Sequence, residues 1–524
     1  MKTNAFFLFF DAAAVRKNAF SLFFVGFLVG FVSPLLRAQD FASYTAIGRG
    51  AATTFETDYH ALSINPANVG LRRSFRDPAF TVGILEGNVG VFSSAMPRAD
   101  MLQSLFRPYQ TQFSFAEKQE AARTFANKPT ALSVNLTWLG AHYSHEKFGG
   151  IAFSVRDRVD YFMRLNQQAA EFMFLGQNAP YFDFLLLSDG SQIQNLPDLP
   201  ESVRELVIEG FVEDQNARTY GQLLNGSEVK MTWFREYNLA YGGRLIDTYN
   251  FRLYAGVGAK LLSGIGYIDL ASQNEVLTRS TISMSSSFAL DFGDDPDVAQ
   301  SPTFRGFENR SVFSILTVPK SVGNGLGFDF GLSAVIKNKL YLGASLINLG
   351  NMNWVGNVAT ITDGLLFQLQ GVGYNNYNFA LVSPETFQFA GSASPFQWTG
   401  SSGSIRTELP TMLRVGASYE FFKTAQIGVD VVFPQNEAAG NLQENFYALG
   451  FDLRLTRNIW ISSGANTGGN QGDNINIPFG FRYISRRGLY ELGFGTQDFS
   501  SFISQLGEGT NLSFAFGSLR VRFL

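Results

Sequence analysis

His60, His142 and His145 are the only imidazoles in the chain, and it has no cysteine. His142 and His145 stand three apart in a segment whose apolar residues alternate. Their side chains therefore leave opposite faces and cannot share a metal ion. No serine–histidine–aspartate arrangement is recognisable around any of the three. Asp294-Asp295-Pro296-Asp297 could at most hold Ca²⁺ weakly, because it lacks the spacing of a calcium loop. Without thiols there is no disulfide framework, thiolate metal site or lipoprotein anchor. The expectation is a protein with no catalytic residue, no metal and no cofactor, hence no enzyme.

Other ionisable residues do follow a pattern. In alternating segments one parity is apolar and the other carries Arg156, Arg158, Asp160 and Arg164; Glu236 and Arg244; Arg252 and Lys260; Asp329; Arg414 and Glu420; Asp430; Asp452 and Arg454; Arg482; and Glu491. A lining of one sign would concentrate one kind of ion. Mixed signs point instead to paired side chains that fill and stiffen an interior, so an open porin is not expected.

The elements that would hold these charges follow from composition. Glycine (52) and phenylalanine (53) each reach about one residue in ten of 524, and only 16% of residues are charged. Ordinary soluble domains carry about 25% charged residues and about 7% glycine. Mean hydropathy is +0.02, too low for a bundle of apolar membrane helices. A barrel with a lipid-facing exterior and a polar interior fits all of these values, with much of the glycine at inward positions. Net charge is −4, and no basic stripe exists to hold nucleic acid.

Arg16 and Lys17 precede the apolar run Ala19 to Val32, and Leu35-Leu36-Arg37-Ala38 ends it. This reads as a cleavable export signal over residues 1–38, with an uncleaved anchor as the alternative. Cleavage after Ala38 would leave a chain near −7, addressed to the outer membrane of a Gram-negative cell.

Six tight polar turns stand out: 145–147, 247–250, 337–339, 422–424, 456–458 and 485–488. If short turns face the periplasm, where both termini also lie, six of them require fourteen strands. The alternating segments fall near 79–92, 130–144, 149–163, 231–246, 251–269, 325–336, 340–349, 411–421, 425–433, 446–455, 459–466, 475–484, 489–496 and 511–523. The fold predicted is an all-β antiparallel transmembrane barrel over 78–524, with long, partly helical outer loops at 93–129, 164–230, 270–324 and 350–410. Strand-like stretches at 279–290 and 357–370 keep a sixteen-strand count open. In the last segment alternation shifts phase at Gly517, which a bulge would explain.

Residues 39–77 break the strand pattern and precede the first strand, so they can fold up into the lumen as a hatch. Arg49 and Asp58 could tether it to wall charges. Asn65-Pro66-Ala67-Asn68 reads as a turn, since proline fixes φ and asparagine caps backbone groups, with direct ligand contact as the other reading. Ser114-Phe115-Ala116-Glu117 is a capping box opening a helix from Phe115 to Phe125. Loop 164–230 carries Phe172, Phe174, Tyr181, Phe182 and Phe184, then a helix expected near 200–214. Those rings either pack as a lid over the barrel mouth or form a landing site for an apolar ligand or a protein.

The stretches Ile47-Gly48-Arg49-Gly50-Ala51-Ala52, Asp58, and Ala61-Leu62-Ser63-Ile64-Asn65-Pro66-Ala67-Asn68 resemble the hatch of the FadL-like outer-membrane barrels, more closely a Bacteroidota branch related to PorV-like barrels. Gly325 to Gly331, Leu340 to Gly350 and Leu409-Pro410-Thr411 add to the resemblance. It implies fourteen strands with a lumenal hatch and passive uptake of small hydrophobic molecules. The alternative it implies is a secretion or surface-attachment role, with outer loops binding protein cargo. The expected surroundings are outer-membrane lipid plus either a hydrophobic ligand or a protein partner, and no nucleic acid. A continuous apolar tunnel would favour uptake; a sealed, salt-bridged lumen would favour the partner role.

Overall fold

The computed structural model describes residues 43–523 apart from 73–77, 98, 101–102, 104–106, 108–111, 286–289, 292–302, 305–317, 378–397, 401–402, 422–423, 470–474, 486–487 and 501–509. The export signal and Asp294 to Asp297 lie outside the described residues.

Alternation builds the wall. On Met412–Phe421, Arg414, Gly416 and Ser418 are buried while Val415 and Tyr419 are exposed, because successive side chains leave opposite faces. Fourteen strands repeat this: β1 Phe80–Ser93, β2 Thr130–His145, β3 Gly149–Arg164, β4 Glu228–Asp247, β5 Phe251–Gln273, β6 Gly323–Ile336, β7 Leu340–Trp354, β8 Met412–Phe421, β9 Ala425–Pro434, β10 Phe446–Arg454, β11 Ile459–Gly468, β12 Phe479–Ile484, β13 Tyr490–Thr496 and β14 Thr510–Phe523. Each pairs antiparallel with its sequence neighbour, and β1 pairs β14 from Phe80↔Phe523 to Ser93↔Thr510, so no edge is left open. Exposed Val415, Tyr419, Ile427, Val429, Leu449, Phe451 and Phe494 belong to the outward, lipid-facing belt. Among the described residues no helix is long and apolar enough to cross a membrane.

The stretches that kept sixteen strands open are ribbons rising from the wall. Val276–Met284 pairs β5 and Val358–Ile361, which in turn pairs Trp398–Gly400. At Gly517 the β13–β14 register shifts: Glu491↔Arg520 is followed by Gly493↔Gly517, with one extra residue on β14.

Above the wall, the outer loops form a cap with its own core. Helix α2 (Phe115–Phe125) starts at the capping box of Ser114 and Glu117, and α3 (Gln167–Leu175) starts at Asn166. The helix expected near 200–214 is not there. One turn, Glu201–Arg204, is followed by the strand Val207–Phe211, which pairs Phe184–Leu187 in a four-stranded sheet. Val207, Ile208 and Phe211 around Gly210 favour an extended chain.

Candidate functional site

The charges and hatch residues converge inside the wall. Described hatch residues 43–72 form helix α1 (Tyr44–Arg49) and two 3-10 turns, Asp58–Ala61 and Pro66–Gly70. Ser43 caps α1 by accepting from the Ala46 N–H, and Gly50 ends it at φ 84°. Asn65 caps the second 3-10 turn, its Oδ1 accepting from the Ala67 N–H (3.1 Å), with Pro66 in the first position.

Every strand presents a glycine to this segment. Gly83 and Gly140 lie under the Tyr59 ring; Gly150 and Gly242 meet Val69 and Gly70; Gly256 and Gly331 meet Ala67 and Asn65; Gly343 meets Asn65 and Thr53. On the other half, Gly416 meets Thr53, Gly428 meets Phe55, Gly450 and Gly464 meet Arg49, Gly480 meets Gly48, and Gly493 and Gly517 meet the Tyr44 ring. A Cβ at any of them would come within 3.2 Å of a hatch atom. The glycine excess thus has a packing reason: it lets the wall close on the hatch at backbone distance.

Charge holds the hatch as well. Arg49 donates Nε–H to Asp452 Oδ1 and Nη2–H to Oδ2, both 2.9 Å, and Nη1–H to Glu56 Oε1 (2.9 Å). Asp58 pairs with Arg520, which also donates to Glu491 (2.8 Å). His60 Nε2 lies 2.8 Å from Glu86 Oε2, and the Tyr59 hydroxyl donates to Glu86 Oε1 (2.8 Å). The Ser63 hydroxyl donates to Glu236 Oε1 (3.0 Å), which Arg156 also holds (3.1 Å). Asp430 accepts the backbone N–H groups of Ala52 and Thr53 at 2.6 and 2.7 Å, with Arg414 buried in electrostatic reach. Asn65 Nδ2 donates to Ser333 Oγ (2.9 Å), and Asn68 Nδ2 donates to the carbonyls of Thr53 and Glu56 (both 2.9 Å).

A second seal comes from outside. Residues 435–445, joining β9 to β10, cross to the opposite wall. There Arg158 Nη2 donates to Gly440 O (3.1 Å) and Lys230 Nζ to Glu437 O (3.4 Å), while Arg158 also pairs with Asp160 (2.5 Å). Leu442 joins Met412, Phe446 and Ile64 in the apolar core above the hatch. Two small cavities lie in the lumen: one holds about 10 Å³, between Tyr59, Ser63 and Arg156, and the other, beside Glu236 and Lys260, has no room for a water. One water needs roughly 10–15 Å³ by that measure.

The predicted loop rings are in the cap. Phe174 is buried beside Phe125; Phe172, Tyr181 and Phe182 pack together above Leu366 and Leu369; Phe184 stacks on Phe211 at 5.6 Å. Lys118 donates to Val372 O (2.5 Å), and burial pushes its ammonium down to about 8. The Glu117 carboxyl sits below the usual range because it accepts the Ser114 N–H (2.7 Å) and hydroxyl (2.8 Å).

A family model described as "Family of unknown function (DUF5723)" matches residues 190–484, more than half of the chain. The chain belongs to the DUF5723 family. No curated protein matches it by sequence. Among solved structures, this DUF5723 chain is similar to the Ralstonia pickettii toluene transporter TbuX, at 12% identity and a TM-score of 0.41, covering 93% of this chain and 100% of that one. The P. putida toluene transporter TodX follows at 12%, 0.40, 92% and 99%. A Pseudomonas aeruginosa FadL homologue gives 12%, 0.35, 92% and 98%.

Several charges placed in the lumen of the DUF5723 barrel sit at the rim carrying its short turns instead. Arg244 is exposed and pairs with Asp247; Arg252 donates to Asn338; Glu420 accepts from Tyr341; Arg454 donates to the carbonyls of Thr456 and Arg457. Arg482 is half-buried near Asp452 (3.9 Å). All lie within a few residues of a turn, where the wall ends and water begins. Sequence reasoning missed Glu86, Glu56, Arg520 and Tyr44. It also missed an outward ion pair: Arg235 donates Nε–H and Nη2–H to the two oxygens of Asp157, both 2.7 Å, and Trp138 Nε1–H joins them (2.7 Å).

Proposed function

We propose that this is an outer-membrane protein, exported by its N-terminal signal, whose barrel is a sealed anchor and whose working surface is the outer cap, which binds a protein partner. The observation carrying this reading is how tightly the hatch fills the lumen: every strand presents a glycine whose added Cβ would come within 3.2 Å of it, and the cavity between Tyr59, Ser63 and Arg156 holds about 10 Å³. Passage would require release of Arg49–Asp452, Asp58–Arg520, His60–Glu86 and Ser63–Glu236. At roughly 3 kcal/mol for each buried contact, opening costs on the order of 10 kcal/mol. A ligand of about seven non-hydrogen atoms could return at most roughly that much at the efficiency ceiling. The cap also exposes Leu206, Ile208, Leu365 and Phe367, apolar surface suited to a protein contact.

The test combines two assays. Purified protein in planar bilayers should be electrically silent, and a deletion strain should take up labelled fatty acid or alkane like its parent. A photo-crosslinker at Ile208 or Phe367 should give one defined protein adduct that a crosslinker at Leu449 in the lipid belt does not. Conductance, lost uptake, or adducts indifferent to position would each reject the reading.

Uptake of small hydrophobic molecules is the second reading. It is favoured by the buried apolar cluster of Phe234, Leu262, Met352, Trp354 and Leu409 beneath the outer crossing segment. Deleting 435–445 should then raise alkane uptake with the hatch still in place.

A further inference from the structure

A barrel closes where its first and last strands meet, and here that seam is interrupted. The β1–β14 ladder runs from Phe80↔Phe523 to Ile84↔Leu519 and resumes at Gly87↔Phe516, so residues 85–86 and 517–518 do not pair with each other. Leu85 takes φ 54°, off the strand conformation, and turns Glu86 inward. On the other side of β14, the β13 ladder shifts register over the same stretch. The pairing of the last strand is therefore disturbed toward both neighbours at one height.

The hatch covers that height. Its Tyr44 ring lies on Gly493 of β13 and Gly517 of β14, and its hydroxyl donates to Glu491 (2.6 Å). Asp58 holds Arg520 of β14, while Tyr59 and His60 hold Glu86 of β1. Four neighbouring side chains of one segment thus grip both sides of the gap. Every other neighbouring pair of strands is joined by a turn or loop. β1 and β14 have no such link and are brought together across the whole barrel sequence, where the loop-closure cost is largest.

We propose that the hatch is the clasp of the closing seam: Tyr44, Asp58, Tyr59 and His60 hold β1 to β14 where their ladder lapses, so barrel closure depends on the hatch. This goes beyond the partner-binding reading and stands whether the cap binds a protein or not. It also means that the hatch is captured during assembly, since the glycine-lined wall leaves no clearance for later threading.

The absence of native cysteine makes the test clean. A clasp variant (Asp58→Asn, Tyr59→Phe, His60→Gln) is compared with a far-side variant (Asn65→Ala, Asn68→Ala) in the full chain. Each carries either an outward seam pair, Val82→Cys with Val521→Cys, or a control pair on β7 and β8, Ala344→Cys with Val415→Cys; both pairs are directly opposite in register. Opposed residues in an antiparallel ladder lie within disulfide reach. Amide exchange in β1 and β14 should rise at least about tenfold in the clasp variant, and seam crosslinking should drop by half or more, with β7, β8 and the control pair unchanged. The far-side variant should leave the seam as it was. Unchanged seam exchange in the clasp variant, equal loosening of all strands, or equal loosening by the far-side variant would overturn the proposal. Should the clasp variant fail to assemble, the seam disulfide should restore the folded, heat-modifiable band, and failure to restore it would also overturn it.

Discussion

Gly48 sits inside helix α1 with its Cα against the backbone of Gly480 on β12. A Cβ there would lie 2.5 Å from Gly480 Cα, 3.0 Å from its N and 3.1 Å from Phe479 O. Two opposed effects follow from Gly48→Ala. Helix propensity alone favours alanine by about 0.8–1.0 kcal/mol. Against that, carbon atoms sit comfortably at about 3.5–4.0 Å, so the new methyl overlaps a strand backbone by about 1 Å. Overpacking of this kind costs roughly 1–3 kcal/mol, and the upper end applies because backbone on both sides cannot rotate away. The net expectation is a loss of about 1–2 kcal/mol. With about 2.1 cal/mol/K per residue at the midpoint, this large barrel should melt lower by on the order of 1–2 °C. Exchange at the amides of residues 44–50 should rise more visibly than the midpoint falls. The assay is the temperature at which the compact band converts to the unfolded one, with amide exchange on the same sample. A midpoint raised by the amount propensity predicts would refute the close approach and, with it, the packing account of the glycines.

Asp452→Asn removes the bidentate partner of Arg49 and should cost roughly 3–5 kcal/mol, seen as protease access to the hatch in detergent. Asp157→Leu removes the bidentate carboxylate from the buried, outward-pointing Arg235 and should destabilise by roughly 2–4 kcal/mol, while Asp157→Leu with Arg235→Leu should recover most of that in a denaturant midpoint. Burial lowers the Lys118 ammonium to about 8 from 10.5, so the folded cap disfavours the charge. That penalty is complete below about pH 8 and fades as pH rises toward about 10.5. Exchange protection of Phe115–Phe125 should therefore increase over that window, and Lys118→Met should flatten the slope.

Strand count and wall were legible because period-2 alternation is local: Arg414, Gly416 and Ser418 against Val415 and Tyr419 need no knowledge of what they touch. Charges on continuous strands, such as Arg156, Glu236, Asp430 and Asp452, could be assigned inward on the same ground. Glu86 could not, because the break at Leu85 reverses parity within its own strand; Arg520 was overlooked although the phase shift at Gly517, visible in the sequence, turns it inward. Asp157 and Arg235 keep the outward parity but are charged, so a rule equating outward with apolar passes over them. The strand at Val207–Phe211 owes its form to Phe184–Leu187, and no local signal carries that pairing.

The manner in which inward charges are matched bears on whether the hatch is a gate. A gate needs two states of similar free energy, so the interactions broken on opening should be few or easily replaced by water. Arg49, Asp58 and His60 instead each meet an opposite charge on a different strand, β10, β14 and β1, and all of these partners are buried. Displacement would separate several buried charges from their partners at once, at a cost of several kcal/mol for each pair broken. The outer crossing segment is held differently, by Arg158 and Lys230 reaching carbonyls of 435–445. If any part of this barrel moves in use, the asymmetry favours the outer face over the hatch.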